Sequence, residues 1–307
     1  MRSLRNTFIA CGVSLALPVA VAGCSVKKFA INKLGDSLAS SGTTFAADDD
    51  PELVGQALPF SLKLVEGLLA ESPNHRGLLL AAASGFTEYA YAYVQQEADE
   101  AAVTSIGRST TIKARARRLY LRARTYGVRG LDARHDGFSR RLAADPTDAV
   151  RAAQQSDVPL LYWSAAAWGA AIAVSKDNLD LVADQRIVEA LIDRALALDA
   201  DFDFGAIHGF LIAYEPARQG APGDPVARVR RHFDRHVALT RGQLATPFVS
   251  LAETVSVQSQ DRAEFKTLIG RALAIDADAR PEWRLQNLLA QRRARWLLAR
   301  EDDLFAK

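Results

Sequence analysis

Cysteine is almost absent from this chain: 307 residues hold two, Cys11 and Cys24, and both fall near the N-terminus. The first six residues, MRSLRN, carry two arginines and no acid, and the apolar stretch TFIACGVSLALPVAVA follows. This is the layout of a secretory signal. The stretch is too short and too Pro-interrupted for a membrane span of about twenty residues. Val21, Ala22 and Gly23 directly before Cys24 resemble a bacterial lipobox, in which the cysteine sulfur takes a diacylglyceryl group and the cysteine becomes the new N-terminus. Residues 1–23 are therefore expected to leave as a lipoprotein-type signal peptide, with Cys24 as the lipid tether. An ordinary signal peptide with a chance cysteine is the plainer alternative. Once Cys11 is removed and the Cys24 sulfur acylated, disulfides, thiolate catalysis and cysteine metal sites are excluded, even in an oxidising compartment.

A surplus of charge is missing too. Removing 23 of 307 residues leaves 284, and losing Arg2 and Arg5 takes the 38 basic residues to 36, against 36 acidic ones. The mature chain is formally neutral. Ten Lys or Arg against Asp132 and Asp136 between 113 and 141 are the one concentration of positive charge. In a cytoplasmic protein they would suggest RNA; export makes nucleic acid a poor fit. A solvated helix face, or a patch for an acidic partner or lipid headgroups, remains. Reaction motifs are absent as well: there is no G-x-S-x-G elbow, no phosphate-cradling Gly loop and no H-E-x-x-H. The chain is not expected to be an enzyme or to carry a cofactor. An envelope hydrolase using carboxylates such as Glu88 or Glu253 would reveal itself by paired carboxylates with raised pKa values in one cleft.

Alternating strand patterns are also lacking, and apolar positions recur at helical spacing almost everywhere. Asp50-Pro51, Asp145-Pro146 and Asp224-Pro225 each place an N-cap acceptor before a Pro at the first helical position. Asp157 before VPLLYWSAAAW is a weaker start of the same kind. Four similar endings follow: RARTYGVRG (122–130), RALALDAD (194–201), RHVALTRG (235–242) and RALAIDAD (271–278). They begin 72, 41 and 36 residues apart, and GLLAESPNH (67–75) reads as an earlier, diverged ending. A period in the mid-thirties made of helix alone predicts stacked helical hairpins. The fold class is all-α, with degenerate hairpins stacked into an α-solenoid. Residues 24–50 read as a lipid-proximal tether and linker, and 51–307 as a single α-helical domain.

ALALD and ALAID before a turn resemble the end of the second helix of a tetratricopeptide repeat (TPR), with Ala200 or Ala277 where a Pro is usual. A wider resemblance rests on the lipobox followed by SVKKFAINKLGDSLA, on DDDPELVGQALPFSLKLVEGLLAESPNHRGLLLAAASGFTEYAYAYVQQEAD and LYLRARTYGVRGL, and on LLYWSAAAWGAAIAVSKDN, RALALDADFDFGAIHGFLIAYEPAR and PFVSLAETVSVQSQDRAEF. In order, and over essentially the whole mature chain, these resemble the T component associated with TRAP (tripartite ATP-independent periplasmic) transporters. The resemblance implies a periplasmic, lipid-anchored, TPR-like protein that binds a TRAP solute-binding protein and contacts its ligand; a hydrophobic or amphipathic ligand would account for the aromatic faces described next. It implies no catalytic residues. Homo-oligomer formation stays open. Ser25 after the lipid cysteine lacks the Asp that signals inner-membrane retention in enteric bacteria, which favours the outer membrane. The rival reading is a TPR-like scaffold lipoprotein for envelope or outer-membrane assembly.

Leu79, Ala82, Phe86, Tyr89 and Tyr93 follow spacings of three or four and share one helical face. Core packing is the ordinary reading; Phe86, Tyr89 and Tyr93 are also candidate ligand contacts. Residues 160–174 are apolar all round, as in a buried central helix. Trp163 and Trp168, five apart within them, face different directions and are the other two candidates. His232 and His236 have a spacing open to metal, but no third ligand is indicated, so exposed histidines and no metal site are expected. Asp199, Asp201 and Asp203 before His208 are expected to cap a turn and the next helix rather than bind calcium.

Overall fold

The computed structural model describes residues 42–306. Residues 1–41, which include the expected signal peptide, Cys24 and most of the expected tether, lie outside the described residues. The structure is 79% helical, and no strand occurs among the described residues, in agreement with an all-α class. Ten helices order the description: α1 (Pro51–Glu71), α2 (Arg76–Tyr89), α3 (Ile106–Asp132), α4 (Val158–Ala173), α5 (Gln185–Leu198), α6 (Phe202–Tyr214), α7 (Pro225–Leu239), α8 (Thr246–Leu251), α9 (Arg262–Leu273) and α10 (Arg284–Leu298).

The Asp-Pro starts are used as their chemistry dictates. Asp50 accepts from the amides of Glu52 and Leu53 at the head of α1, Asp224 from Ala227 at the head of α7, and Asp145 from Asp148 at a short helix, Pro146–Ala149. Asp157 behaves differently. It is fully buried and accepts from Arg76 (2.7 Å), His135 (2.9 Å) and the Gln154 amide (2.9 Å), tying the starts of α2 and α4 to the end of α3. A side chain expected to cap one helix instead fastens three. The five similar endings close α1, α3, α5, α7 and α9.

Packing follows chain order. Helices α1 to α5 each lie on the next, α6 lies on α7, and α8, α9 and α10 pack in turn. Helix α4 is central and carries eleven buried residues. Leu161 and Trp168 join a core with α5 and α6; Ala167 faces α1 and α2, and Ala171 meets Tyr120 of α3. Its small side chains allow close approach: a Cβ added to Gly127 of α3 would meet Ser164 Oγ and lie 3.3 Å from Ser164 Cα. A separate apolar cluster holds α7 to α10 together.

The basic residues of 113–141 are largely fasteners. Arg115 donates to Tyr89 Oη (3.0 Å), Arg122 pairs with Glu66, Arg129 donates to the Pro73 carbonyl (2.8 Å), and Arg124 stacks over the Trp168 ring at 4.6 Å. The last elements return to the first. A short helix, Gly42–Ala46, inside the expected linker packs on α10, where Arg284 donates to the Ala47 carbonyl at 2.9 Å. Arg292 pairs with Glu100 (3.2 Å) and Arg293 with Asp99 (3.0 Å), both in the helical segment Gln96–Ala102. This seam is polar. It joins the two ends of the helical succession.

Candidate functional site

Two segments leave α-helical geometry for the wider π form: Ala90–Gln95, which continues α2, and Ala252–Ser256, which continues α8. A π turn inserts a residue into the ladder, and such insertions are frequent at functional sites. Tyr91 stands in the first and Glu253 in the second. Arg293 of α10 spans them, donating to Glu253 Oε1 (2.6 Å from Nη2), to Asp99 Oδ2 (3.0 Å) and to Gln96 Oε1 (3.1 Å).

Tyr91 is 59% exposed. Even so, desolvation by surrounding protein, followed by the nearby Glu253 carboxylate, pushes its phenol pKa up. Glu88, one turn earlier, is likewise accessible. Desolvation first and the Asp203 carboxylate second push it up to about 7. Asp203 is raised by desolvation too. Half-buried Tyr162 of α4 is raised by desolvation and then by the charges of Asp203, Glu88 and Tyr91. Side chains from α2, α4, α6, both π segments and α10 thus share one electrostatic environment.

Local backbone sets Asp203 there. Asp203 (φ 44°), Phe204 (φ 53°) and Gly205 (φ 92°) occupy the left-handed region in succession. That conformation is costly for the two residues that carry a Cβ. Gly205 has a second reason to be glycine, since an added Cβ would lie 2.9 Å from Leu239 Cδ1. Asp203 is therefore no helix cap. Asp201, also expected to cap, makes no capping bond and pairs with Arg235 at 2.6 Å.

The lining mixes aromatic rings, two carboxyls without hydrogen-bond partners among the described contacts, and a bound guanidinium. With its pKa near 7, Glu88 is divided between acid and carboxylate at neutral pH and can donate or accept a hydrogen bond. Such a wall suits a ligand with a polar or charged head and an apolar body. No group of three or more His, Cys, Asp or Glu among the described residues is arranged to hold a metal ion.

The aromatic candidates do not assemble. Phe86 is buried in the α1–α2–α3 core, stacked 6.0 Å from Tyr126. Tyr89 and Tyr93 lie 5.8 Å apart; Tyr93 packs against Gly55 of α1, its hydroxyl buried without a partner and its pKa pushed up to about 12, mainly by desolvation. Trp163 is half-buried and meets Tyr162 edge-on at 4.9 Å. Trp168 is buried and donates to Asp184 at 3.1 Å. Of the residues in this cluster, the sequence pointed to Glu88 and Glu253 as carboxylates and to Asp203 only as a cap, and it did not single out Tyr91, Tyr162 or Arg293. Tyr91 stands between Tyr89 and Tyr93, two places from either, where ordinary helical spacing turns it away from them.

The histidines correct a second expectation. His236 (3% exposed) and His208 (8%) are buried, and His208 Nδ1 lies 2.8 Å from His232 Nδ1. Desolvation holds His208 and His236 down at about 4, and His232 below its ordinary value. They are neutral interior groups at neutral pH, not solvated ones.

Comparison with known proteins adds two findings. The family model described as TRAP transporter T-component matches residues 47–305. An uncharacterized protein of Treponema pallidum (strain Nichols) is 28% identical over 313 residues, covering 96% of this chain and 97% of that protein.

Proposed function

We infer the function from one premise, that the chain belongs to the TRAP transporter T-component family, and propose that it is the membrane-tethered receiver of that system's solute-binding protein. Membership makes it a component of a TRAP transporter system, associated with a membrane on the periplasmic side. In the proposed arrangement the thiol of Cys24 carries lipid, on the periplasmic face of the outer membrane, and the body is a single stack of degenerate TPR-like hairpins. The tether confines one partner to the membrane plane and raises the rate of encounter with a soluble one.

The clustering of Glu88, Tyr91, Tyr162 and Asp203, in which Glu88 feels the charge of Asp203 and Tyr162 that of the other three, supports the ligand-handling part. Glu88, Tyr91, Tyr162 and Asp203 offer rings and unpaired carboxyls in one accessible interior. We propose that this wall holds the hydrophobic or amphipathic solute as it passes from the solute-binding protein. The test is extraction of purified, delipidated protein followed by mass spectrometry, repeated with Tyr91→Ala and Glu88→Ala. A small molecule retained by the wild type and lost from both variants supports the reading. Absence of any retained molecule, with no fluorescence response to amphipathic solutes, would withdraw it.

Glu88 and Asp203 also favour a second reading, an acid–base pair of a hydrolase, because two carboxyls with raised pKa values share the interior. The family points away from catalysis. Hydrolysis of envelope glycan or ester substrates that Glu88→Gln abolishes would favour the enzyme.

A further inference from the structure

Helix α1 buries only one side. Val54, Leu62, Val65 and Leu69 face the fold, while Leu53 (55% exposed), Phe60 (74%) and Leu64 (43%) stand out to solvent. With Ala57 and Gly67 they follow spacings of four, three, four and three, which keeps them on one stripe of an α-helix. No charged residue interrupts the helix between Glu52 and Lys63. By length and composition α1 could even cross a membrane, but its packing on α2 makes it part of the folded body. Exposed rings and branched chains in line, rather than scattered singly, mark a surface that is covered in use.

The position of α1 indicates what covers it. The chain outside the structure ends at residue 41, ten residues before α1, and the expected lipid-bearing Cys24 lies eighteen residues upstream of residue 42. Eighteen residues span at most about 60–65 Å, so the tether keeps the body, α1 included, within reach of the bilayer. That upstream stretch carries Lys27, Lys28 and Lys33 against Asp36, the sign drawn to anionic headgroups. We propose that the Leu53–Phe60–Leu64 stripe seats on the lipid surface, with α1 lying in the interfacial plane as a second attachment beside the lipid. Amphipathic helices bind bilayers in this way. The proposal rests on the membrane-tethered reading above, and it adds an orientation: the body lies against the membrane along α1.

The test uses the mature chain from residue 24 with Cys24→Ala, which has no lipid and no remaining cysteine. It is sedimented with vesicles of phosphatidylethanolamine and phosphatidylglycerol. Saturable binding is expected, and Leu53→Ser/Phe60→Ser/Leu64→Ser, checked for unchanged helicity, should weaken it by more than about tenfold. In a parallel measurement an environment-sensitive dye is placed on Ala57→Cys or on exposed Lys176→Cys. Vesicles should shift the emission to the blue at 57 and leave 176 unchanged. Three results would overturn the proposal: no binding of the unlipidated chain; equal binding by the triple variant; or a shift at 57 produced without lipid by the solute-binding protein or by raised protein concentration. If lipidated wild type sediments while the Cys24→Ala chain does not, the tether stands and the α1 surface fails.

Discussion

Acidification should loosen the α6–α7 pair, and His236 is the residue on which the effect can be isolated. His236 is 3% exposed, with its ring wedged beside Gly205 and Gly209 and its Nδ1 buried without a partner. Desolvation, and secondarily the neighbouring His208, depress its pKa from 6.5 to about 4. Above pH 6.5 both folded and unfolded chains hold the imidazole neutral, so it exerts no pull. As pH falls below 6.5 the unfolded chain takes up the proton first, and stability is lost until about pH 4, where the folded chain protonates as well. At 1.36 kcal/mol per pH unit the full traverse is worth about 3.4 kcal/mol, of which about 2 kcal/mol is gone by pH 5. His208, with a similar depression, adds a loss of the same sign. The assay is urea unfolding followed by far-ultraviolet circular dichroism at pH 7.5 and pH 5.0, for wild type and His236→Gln. The wild type should lose about 2 kcal/mol more than the variant over that interval. Carboxyls held low by hydrogen bonds and cations, Asp157, Glu66 and Glu264, lose their contribution at lower pH and equally in both proteins. Equal losses would refute the reasoning.

Three further outcomes follow from the packing and the interior. Gly127→Ala pushes a methyl onto Ser164 across the α3–α4 contact; overpacking of about 1–3 kcal/mol should outweigh the helix gain of about 1 kcal/mol, and Ser164→Gly in the same chain should recover most of the loss in denaturant titrations. Asp157→Ala leaves Arg76, Arg134 and His135 without their buried acceptor, so a loss of about 3–5 kcal/mol is expected, and a loss below about 1 kcal/mol would mean the carboxylate fastens nothing. Carbon-13 titration should find Glu88 ionising near pH 7, with Asp203→Asn lowering that value only in part, because desolvation is the larger cause; ionisation near 4.5 in the wild type would remove the main electrostatic feature of the Glu88–Asp203 cluster.

Helix starts and stops were legible because their chemistry is local. An Asp before a Pro caps whatever helix follows, as at α1 and α7, and the similar endings mark the C-terminal turns of α1, α3, α5, α7 and α9. The all-apolar run of α4 identified a buried central helix for the same reason. Tertiary partners were not legible. Asp157 had the look of a cap for α4, but its carboxylate goes to Arg76, 81 positions away in sequence, to His135 and to the Gln154 amide behind it. The α7 sequence, rich in arginine, suggested solvated histidines; in the fold Arg228 is buried against Glu215 and three carbonyls, and His236 turns inward with it. The interior site escaped because it depends on π turns and on a left-handed run at Asp203–Phe204, neither of which has a strong compositional mark. Ordinary 3.6-residue spacing brought forward Phe86, Tyr89 and Tyr93 and passed over Tyr91.

The most direct test of the transport reading is recovery of partners from solubilised envelopes. Full-length protein is captured alongside a Cys24→Ala form, and the co-purifying proteins and small molecules are identified by mass spectrometry. Enrichment of a TRAP solute-binding protein with the lipidated form, accompanied by its solute, is the expected result. Enrichment of barrel-assembly or cell-wall proteins in its place would contradict it and make the chain an envelope scaffold.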